Sequence, residues 1–162
     1  MNEQKQRTAQ PPDATELMKQ FVGFIPHVQE LGMEPVHTGK GMAIMKLPYA
    51  EKLVGNPETG VLHGGVVTTL IDTVSGLAVI SAPDNPQRIV TLDLRIDYLR
   101  PAQPERDLFA RAEVYKLTSQ VAFVRAEAYE NDPHDLVASA TGTFMFTGKV
   151  GRTVHDAAPP ER

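Results

Sequence analysis

From Gly64 to Ile80 the chain reads GGVVTTLIDTVSGLAVI, apolar on nearly every side, with Asp72 as its one charge. A membrane span takes about 20 residues, slightly more than this stretch offers, and a carboxylate at its midpoint opposes burial in hydrocarbon. Its β-branched residues would suit a strand, but its length favours a helix. A helix apolar all round is one buried inside a protein. Ala82-Pro83-Asp84-Asn85-Pro86 then stops it.

Outward from this helix the pattern changes period. Val90, Leu92, Leu94, Ile96 and Tyr98 alternate with Thr91, Asp93, Arg95 and Asp97, the period of two of a sheet with one buried face. Leu108, Ala110, Ala112 and Val114 alternate in the same way, and the runs 122–129 and 136–146 continue the series. Leu117-Thr118-Ser119-Gln120 and Asn131-Asp132-Pro133-His134 stand where hairpin turns belong. Before the helix, two strand-like runs lie between about Glu30 and Leu47, with Gly39 and Gly41 flanking Lys40 at a turn. The pattern predicts an α+β fold in which a curved antiparallel sheet of five to six strands, joined by successive hairpins, wraps one long central helix. Such a helix end or sheet edge is expected to meet a second subunit.

The rest of the composition narrows the function. A chain of 162 residues is about one domain. A net charge of −4, with no basic stripe, argues against a nucleic-acid partner. With no cysteine, disulfides, thiolate metal ligands and thiol nucleophiles are excluded together. The polar opening MNEQKQRTAQPPDA lacks the apolar core of a signal peptide, so a cytoplasmic protein is expected. Residues 1–13 and 148–162 are polar and are expected to be mobile, leaving a domain over 14–147. Within it, Thr15 to Val22 suits a short amphipathic helix capped by Asp13 or Thr15.

Two features of the central helix carry chemistry. His63-Gly64-Gly65 opens it, and a helix N-terminus offers unpaired N–H groups and partial positive charge to a polarised carbonyl. Two glycines there let a ligand approach the backbone closely. Asp72 is the second feature: a carboxylate among apolar residues is either paired, here with Thr68, Thr69 or Ser75, or functional. Gly64 and Asp72 lie eight residues apart, about 12 Å along a helix. A carbonyl held at Gly64 needs its attacking group roughly 3 Å away. Two antiparallel copies of the helix at a two-fold interface would resolve the mismatch, bringing Gly64 of one chain to Asp72 of the other.

Asn56-Pro57, Leu62-His63-Gly64-Gly65, Leu70-Ile71-Asp72-Thr73, Val90-Thr91-Leu92-Asp93-Leu94 and Tyr98-Leu99-Arg100-Pro101-Ala102, in that order, resemble the hotdog-fold thioesterases of the PaaI (phenylacetate-degradation) type. The resemblance runs from about Leu31 to Thr147. It implies hydrolysis of an aryl- or short- to medium-chain acyl-CoA, with no cofactor or metal, by a homodimer or a homotetramer built as a dimer of dimers. Gly64 N–H would polarise the thioester carbonyl, and Asp72 would be nucleophile or general base. Asn56 would orient the carbonyl or the attacking water, while Thr73 and Thr91 would position water or the acyl group. His63 would hold the loop and contact the thioester region beside Gly65. Asn56 lies seven residues before His63, where the family pattern often has six.

Each of these residues has a plainer reading. His63 could cap the helix, Gly64 and Gly65 could serve tight packing, and Asn56 before Pro57 is a natural turn starter. Thr91 falls on the polar face of its strand. Arg100 could form a salt bridge at the strand end or hold a CoA phosphate. His27, His37, His134 and His155 are scattered and share no metal-ligand spacing, and G-x-S-x-G and phosphate-binding glycine loops are absent. The alternatives from other classes are a non-catalytic acyl-CoA-binding or sensing module and a hotdog hydratase or dehydratase.

Overall fold

A computed structural model describes residues 22–149. Helix α1 (Pro26–Leu31) leads into the hairpin β1 (Glu34–Gly39) and β2 (Met42–Leu47), then a single 3₁₀ turn (Glu51–Leu53). The short strands β3 (Val54–Asn56) and β4 (Val61–Leu62) precede the long helix α2 (Gly64–Ser81). Four strands follow: β5 (Gln87–Tyr98), β6 (Leu108–Leu117), β7 (Val121–Tyr129) and β8 (Leu136–Lys149). The helix expected over 15–22 falls outside the described residues except for Val22, as do the N-terminal segment 1–13 and most of 148–162.

Six strands pair antiparallel in the order β1-β2-β6-β7-β8-β5, with β3 and β4 forming a separate two-stranded ribbon. This is the sheet around one helix that the sequence predicts, with a correction to its connections. Hairpins join β1 to β2, β6 to β7 and β7 to β8, but β5 pairs with β8 at the far edge and not with β6. The chain from Leu99 to Asp107 carries the connection between them.

The inner face of the sheet is built from small residues. Ala43, Ala110, Ala112, Ala122, Ala126 and Ala128 are all buried, which lets the helix backbone come close. Against them α2 packs Val67, Leu70, Ile71, Val74, Leu77 and Ala78. Each large aliphatic side chain buried in this way contributes about 1.5–3 kcal/mol. By length and composition α2 could cross a membrane, but half of it is buried inside the structure, as befits a core helix.

The expectation of a helix buried all round needs correcting. Thr68, Thr69, Asp72, Thr73 and Gly76 lie along a face that only the edge strand β5 borders and are only partly buried. A single sheet can cover only one side of a helix.

A bulge in β5 corrects a second expectation. Thr91 pairs with Phe144 and Asp93 with Thr143, so Leu92 is an extra residue between them. An extra residue shifts the alternation by one. Thr91 therefore shares the inner face with buried Phe144, while Val90 and Leu92 are 43% and 53% exposed. Thr91 is not on the outer, polar face where strict alternation puts it.

Candidate active site

The start of α2 is assembled by side chains that bind its backbone. His63 stands at the N-cap with extended backbone (φ −63°, ψ 132°), and its Nδ1 accepts from Gly65 N–H at 2.9 Å. Val66 N–H donates to His63 O, also at 2.9 Å. His63 N–H in turn donates to Leu53 O, fixing the entry to the helix. A Cβ on Gly65 would come within 2.9 Å of His63 Nδ1, so this glycine is required by the cap itself. Gly64 is different. A Cβ there would make only ordinary contact with Tyr98 Oη at 3.5 Å, so no clash within the chain demands glycine. Among the described residues no acceptor takes the Gly64 N–H.

Tyr98 was legible in the sequence only as a member of an apolar face, and it does more. Its hydroxyl donates to Gly64 O at 2.8 Å and lies 2.8 Å from Thr68 Oγ1, which also donates to Gly64 O. The peptide that follows Gly64 is thus held from the end of β5.

Asn56 sits close to this helix end. A Cβ on the neighbouring Gly55 would lie 2.7 Å from His63 Cα, so β3 packs directly against the residue that starts α2. Asn56 Oδ1 accepts from Glu58 N–H at 3.0 Å, and its carbonyl accepts from Gly60 N–H at 2.9 Å. The loop of Pro57 to Gly60 therefore closes as a turn on Asn56, with Gly60 in the left-handed region (φ 72°). The turn role expected of Asn56 is present, and among the described residues its Nδ2 has no partner.

Asp72 lies elsewhere, in a cavity of about 370 Å³ that includes none of Asn56, His63, Gly64 and Gly65. Thr69, Asp72, Thr73 and Thr91 supply polar lining together with His27 of α1, and apolar side chains of α2, β5, β8 and the segment from Val22 to Val28 form the rest. Asp72 Oδ1 accepts from Thr91 Oγ1 at 3.0 Å. None of the helical hydroxyls expected as its partners bonds to it. Thr68 and Thr69 donate to the carbonyls of Gly64 and Gly65, and Ser75 Oγ is buried with no partner among the described residues. Thr73 Oγ1 donates to Thr69 O at 2.7 Å. Its remaining lone pairs stay available beside Asp72.

Arg100 is engaged at the opposite side of β5's end. It donates to Asp135 Oδ1 at 2.9 Å, to Glu130 Oε2 at 3.3 Å, and to the carbonyls of Pro101 and Asp135. Glu130 is buried and also accepts from Gln103 N–H. The bonded Asp135 carboxylate, followed by Glu130, raises the guanidinium pKa above its ordinary value. The geometry is that of the salt bridge considered for Arg100, with its donors spent inside the chain.

Two chemical elements are thus present in one chain but apart: a helix-terminal N–H without an acceptor among the described residues, with Asn56 and His63 nearby, and a carboxylate with three threonines in the lining of a cavity. About 12 Å of helix separates them. The first can polarise a carbonyl, and the second can supply a nucleophile or a base.

A family model described as the thioesterase superfamily matches residues 59–137. The chain is 34% identical over 138 residues to the Escherichia coli medium/long-chain acyl-CoA thioesterase YigI, covering 77% of this chain and 88% of that one. Among solved structures, a Pseudomonas aeruginosa protein is 39% identical, with a TM-score of 0.75 over 82% of this chain and 98% of that one. A variant of the phenylacetic acid degradation protein PaaI from Thermus thermophilus is 29% identical, with a TM-score of 0.65 over 75% and 98%.

Proposed function

Since the chain belongs to the hotdog-fold thioesterase superfamily and is a thioester hydrolase, we propose that it cleaves acyl-CoA to coenzyme A and the free acid at sites shared between two subunits. The Gly64 N–H of one subunit polarises the thioester carbonyl, and Asp72 of the partner subunit supplies the attack. Asp72 either adds to the carbonyl carbon itself or takes the proton of a water that does so. Negative charge developing on the carbonyl oxygen is stabilised by the N–H and by the helix N-terminus. Collapse of the tetrahedral intermediate expels the CoA thiolate, which takes up a proton. On the direct route a water then hydrolyses the mixed anhydride left on Asp72, releasing the acid and restoring the carboxylate. Asn56 Nδ2 orients the carbonyl or the water, Thr73 and Thr91 hold the carboxylate and water in place, and His63 shapes the loop. This chemistry draws on no metal or cofactor.

The observation that carries the reading is the separation of the Gly64 N–H, which has no acceptor among the described residues, from the cavity that holds Asp72. Two antiparallel copies of α2 would close that gap and give two equivalent sites. The edge strand β5 supports the pairing, because Val90, Leu92 and Tyr98 along it, and Leu99 just beyond it, are all more than 40% exposed. An unpaired edge with exposed apolar side chains is a surface that joins another chain. Dimers of this kind can pair further into tetramers. The name of the Escherichia coli relative supports an aliphatic acyl group.

The test is thiol release, followed with a chromogenic disulfide, over aryl- and aliphatic-CoA esters, using wild type and Asp72→Asn. Release by the wild type with a kcat lower by about 10²–10⁴-fold in the variant is expected. A variant retaining most of its activity would remove Asp72 from the mechanism. Binding of the esters without release would favour a non-catalytic acyl-CoA module.

A further inference from the structure

One face of α2 lines the cavity with Thr69, Asp72, Thr73, Gly76, Leu77 and Ile80, residues spaced three and four apart. The first three are polar and the last three carry no polar side chain. The cavity is therefore graded along the helix, from the carboxylate end towards the helix C-terminus. Ile89 on β5 and Phe144 on β8 also line it, and α1 contributes Val28 and His27.

We propose that Gly76 sets the length of acyl chain this enzyme hydrolyses, by keeping open an apolar channel that runs from Asp72 along α2 to Ile80. The proposal rests on the thioesterase reading of the Asp72 site. A glycine inside a helix is less stable than alanine, so its presence calls for a local reason. Backbone conformation does not provide one, because Gly76 is not among the residues with positive φ. Crowding does not either: a Cβ there would meet only Ile89 Cδ1, at 3.4 Å. What the missing side chain does is leave the cavity wall bare one helical turn beyond Asp72, at a point where a methyl would already reach contact with Ile89 Cδ1.

The helix also gives the channel a length. Asp72 and Ile80 are eight residues apart, about 12 Å along the axis. An extended chain advances roughly 1.2 Å per bond, as a stretched backbone does over its three bonds per residue, so the channel takes about eight to ten carbons. An unbranched aliphatic chain fills such a channel, whereas a single aromatic ring would leave its far half empty. The ligand class is therefore the linear medium-chain acyl group.

Wild type, Gly76→Ala and Gly76→Val would be assayed for kcat/KM on the saturated CoA esters from butyryl to lauroyl, with melting temperatures measured alongside. The wild type is expected to peak at octanoyl or decanoyl. The ratio of butyryl to decanoyl turnover should rise about tenfold or more in Gly76→Val, since a few methyl groups decide selection in an apolar pocket. Gly76→Ala should shift the ratio in the same direction while melting no lower than the wild type, which keeps the test valid if the valine variant folds poorly. A folded Gly76→Ala or Gly76→Val with the wild-type chain-length profile would overturn the channel while leaving the thioesterase intact. No thiol release from any ester by the wild type would overturn the thioesterase reading itself, and the channel with it.

Discussion

Thr91 Oγ1 donates a 3.0 Å hydrogen bond to Asp72 Oδ1, joining the edge strand β5 to the middle of α2. The bond exists because the bulge at Leu92 turns Thr91 inward beside Phe144. A charge-assisted bond of this kind fixes one carboxylate oxygen and leaves the other without a side-chain partner among the described residues.

Thr91→Val removes the donor while keeping the shape of the side chain. Loss of a hydrogen bond to a charged group costs about 1.5–3 kcal/mol, so kcat should fall roughly tenfold or more. KM should change little, and Thr91→Ser should recover most of the rate. Steady-state kinetics on the three proteins, with equal melting temperatures as a control, checks this.

Tyr98→Phe deletes the hydroxyl that binds Gly64 O and meets Thr68 Oγ1. The cost in stability should be about 1 kcal/mol, the ordinary worth of a neutral hydrogen bond. Because the lost bond steadies the helix end that we propose polarises the carbonyl, kcat should drop while KM stays within about twofold of wild type. A change in KM alone would show that Tyr98 only borders the ligand.

His63→Ala removes the side-chain cap on Gly65 N–H. Helix-cap losses typically cost about 1 kcal/mol, which denaturant unfolding can measure. His63→Asn, a good capping residue, should recover most of that stability. If neither variant changes stability, the cap is not what His63 contributes.

Arg100→Met would leave Glu130, which is only 4% exposed, without its nearest cation. Breaking a buried ion pair costs about 3–5 kcal/mol, and the partial exposure of Arg100 places this one near 3 kcal/mol. KM for acyl-CoA should remain close to wild type. A large rise in KM with unchanged stability would instead return Arg100 to the phosphate-binding role.

The helix, the sheet and the two reactive features were legible because they depend on local pattern. Period-two alternation marked β6 to β8, and the Gly64–Asp72 spacing of eight residues already implied the separation of the two features that the structure has. Features set by distant residues were not legible. Nothing near Thr91 announces the bulge, since Leu92 fits either face of a strand by its chemistry. The partners of Arg100 lie 30 and 35 residues further along the chain, and Tyr98 reads as one more apolar position until its hydroxyl meets Gly64 O. The edge position of β5 follows from pairing with β8, which strand order in sequence does not reveal. Helix α1 was missed although Pro26 at its first turn and Gly32 at its end are ordinary boundary signals.

The central claim, that each site joins Gly64 of one subunit to Asp72 of the other, is tested most directly by mixing two inactive variants. Asp72→Asn removes the attacking carboxylate. Gly64→Pro removes the polarising N–H while keeping the helix start, because proline suits the first helical position and His63 already has the extended backbone that precedes proline. Each homodimer should be nearly inactive. In a mixed dimer one site carries both changes and the other carries neither, so unfolding and refolding the two together should restore thiol release. Restored activity is the result this account predicts. A mixture that forms mixed dimers yet stays as inactive as its parents would contradict it.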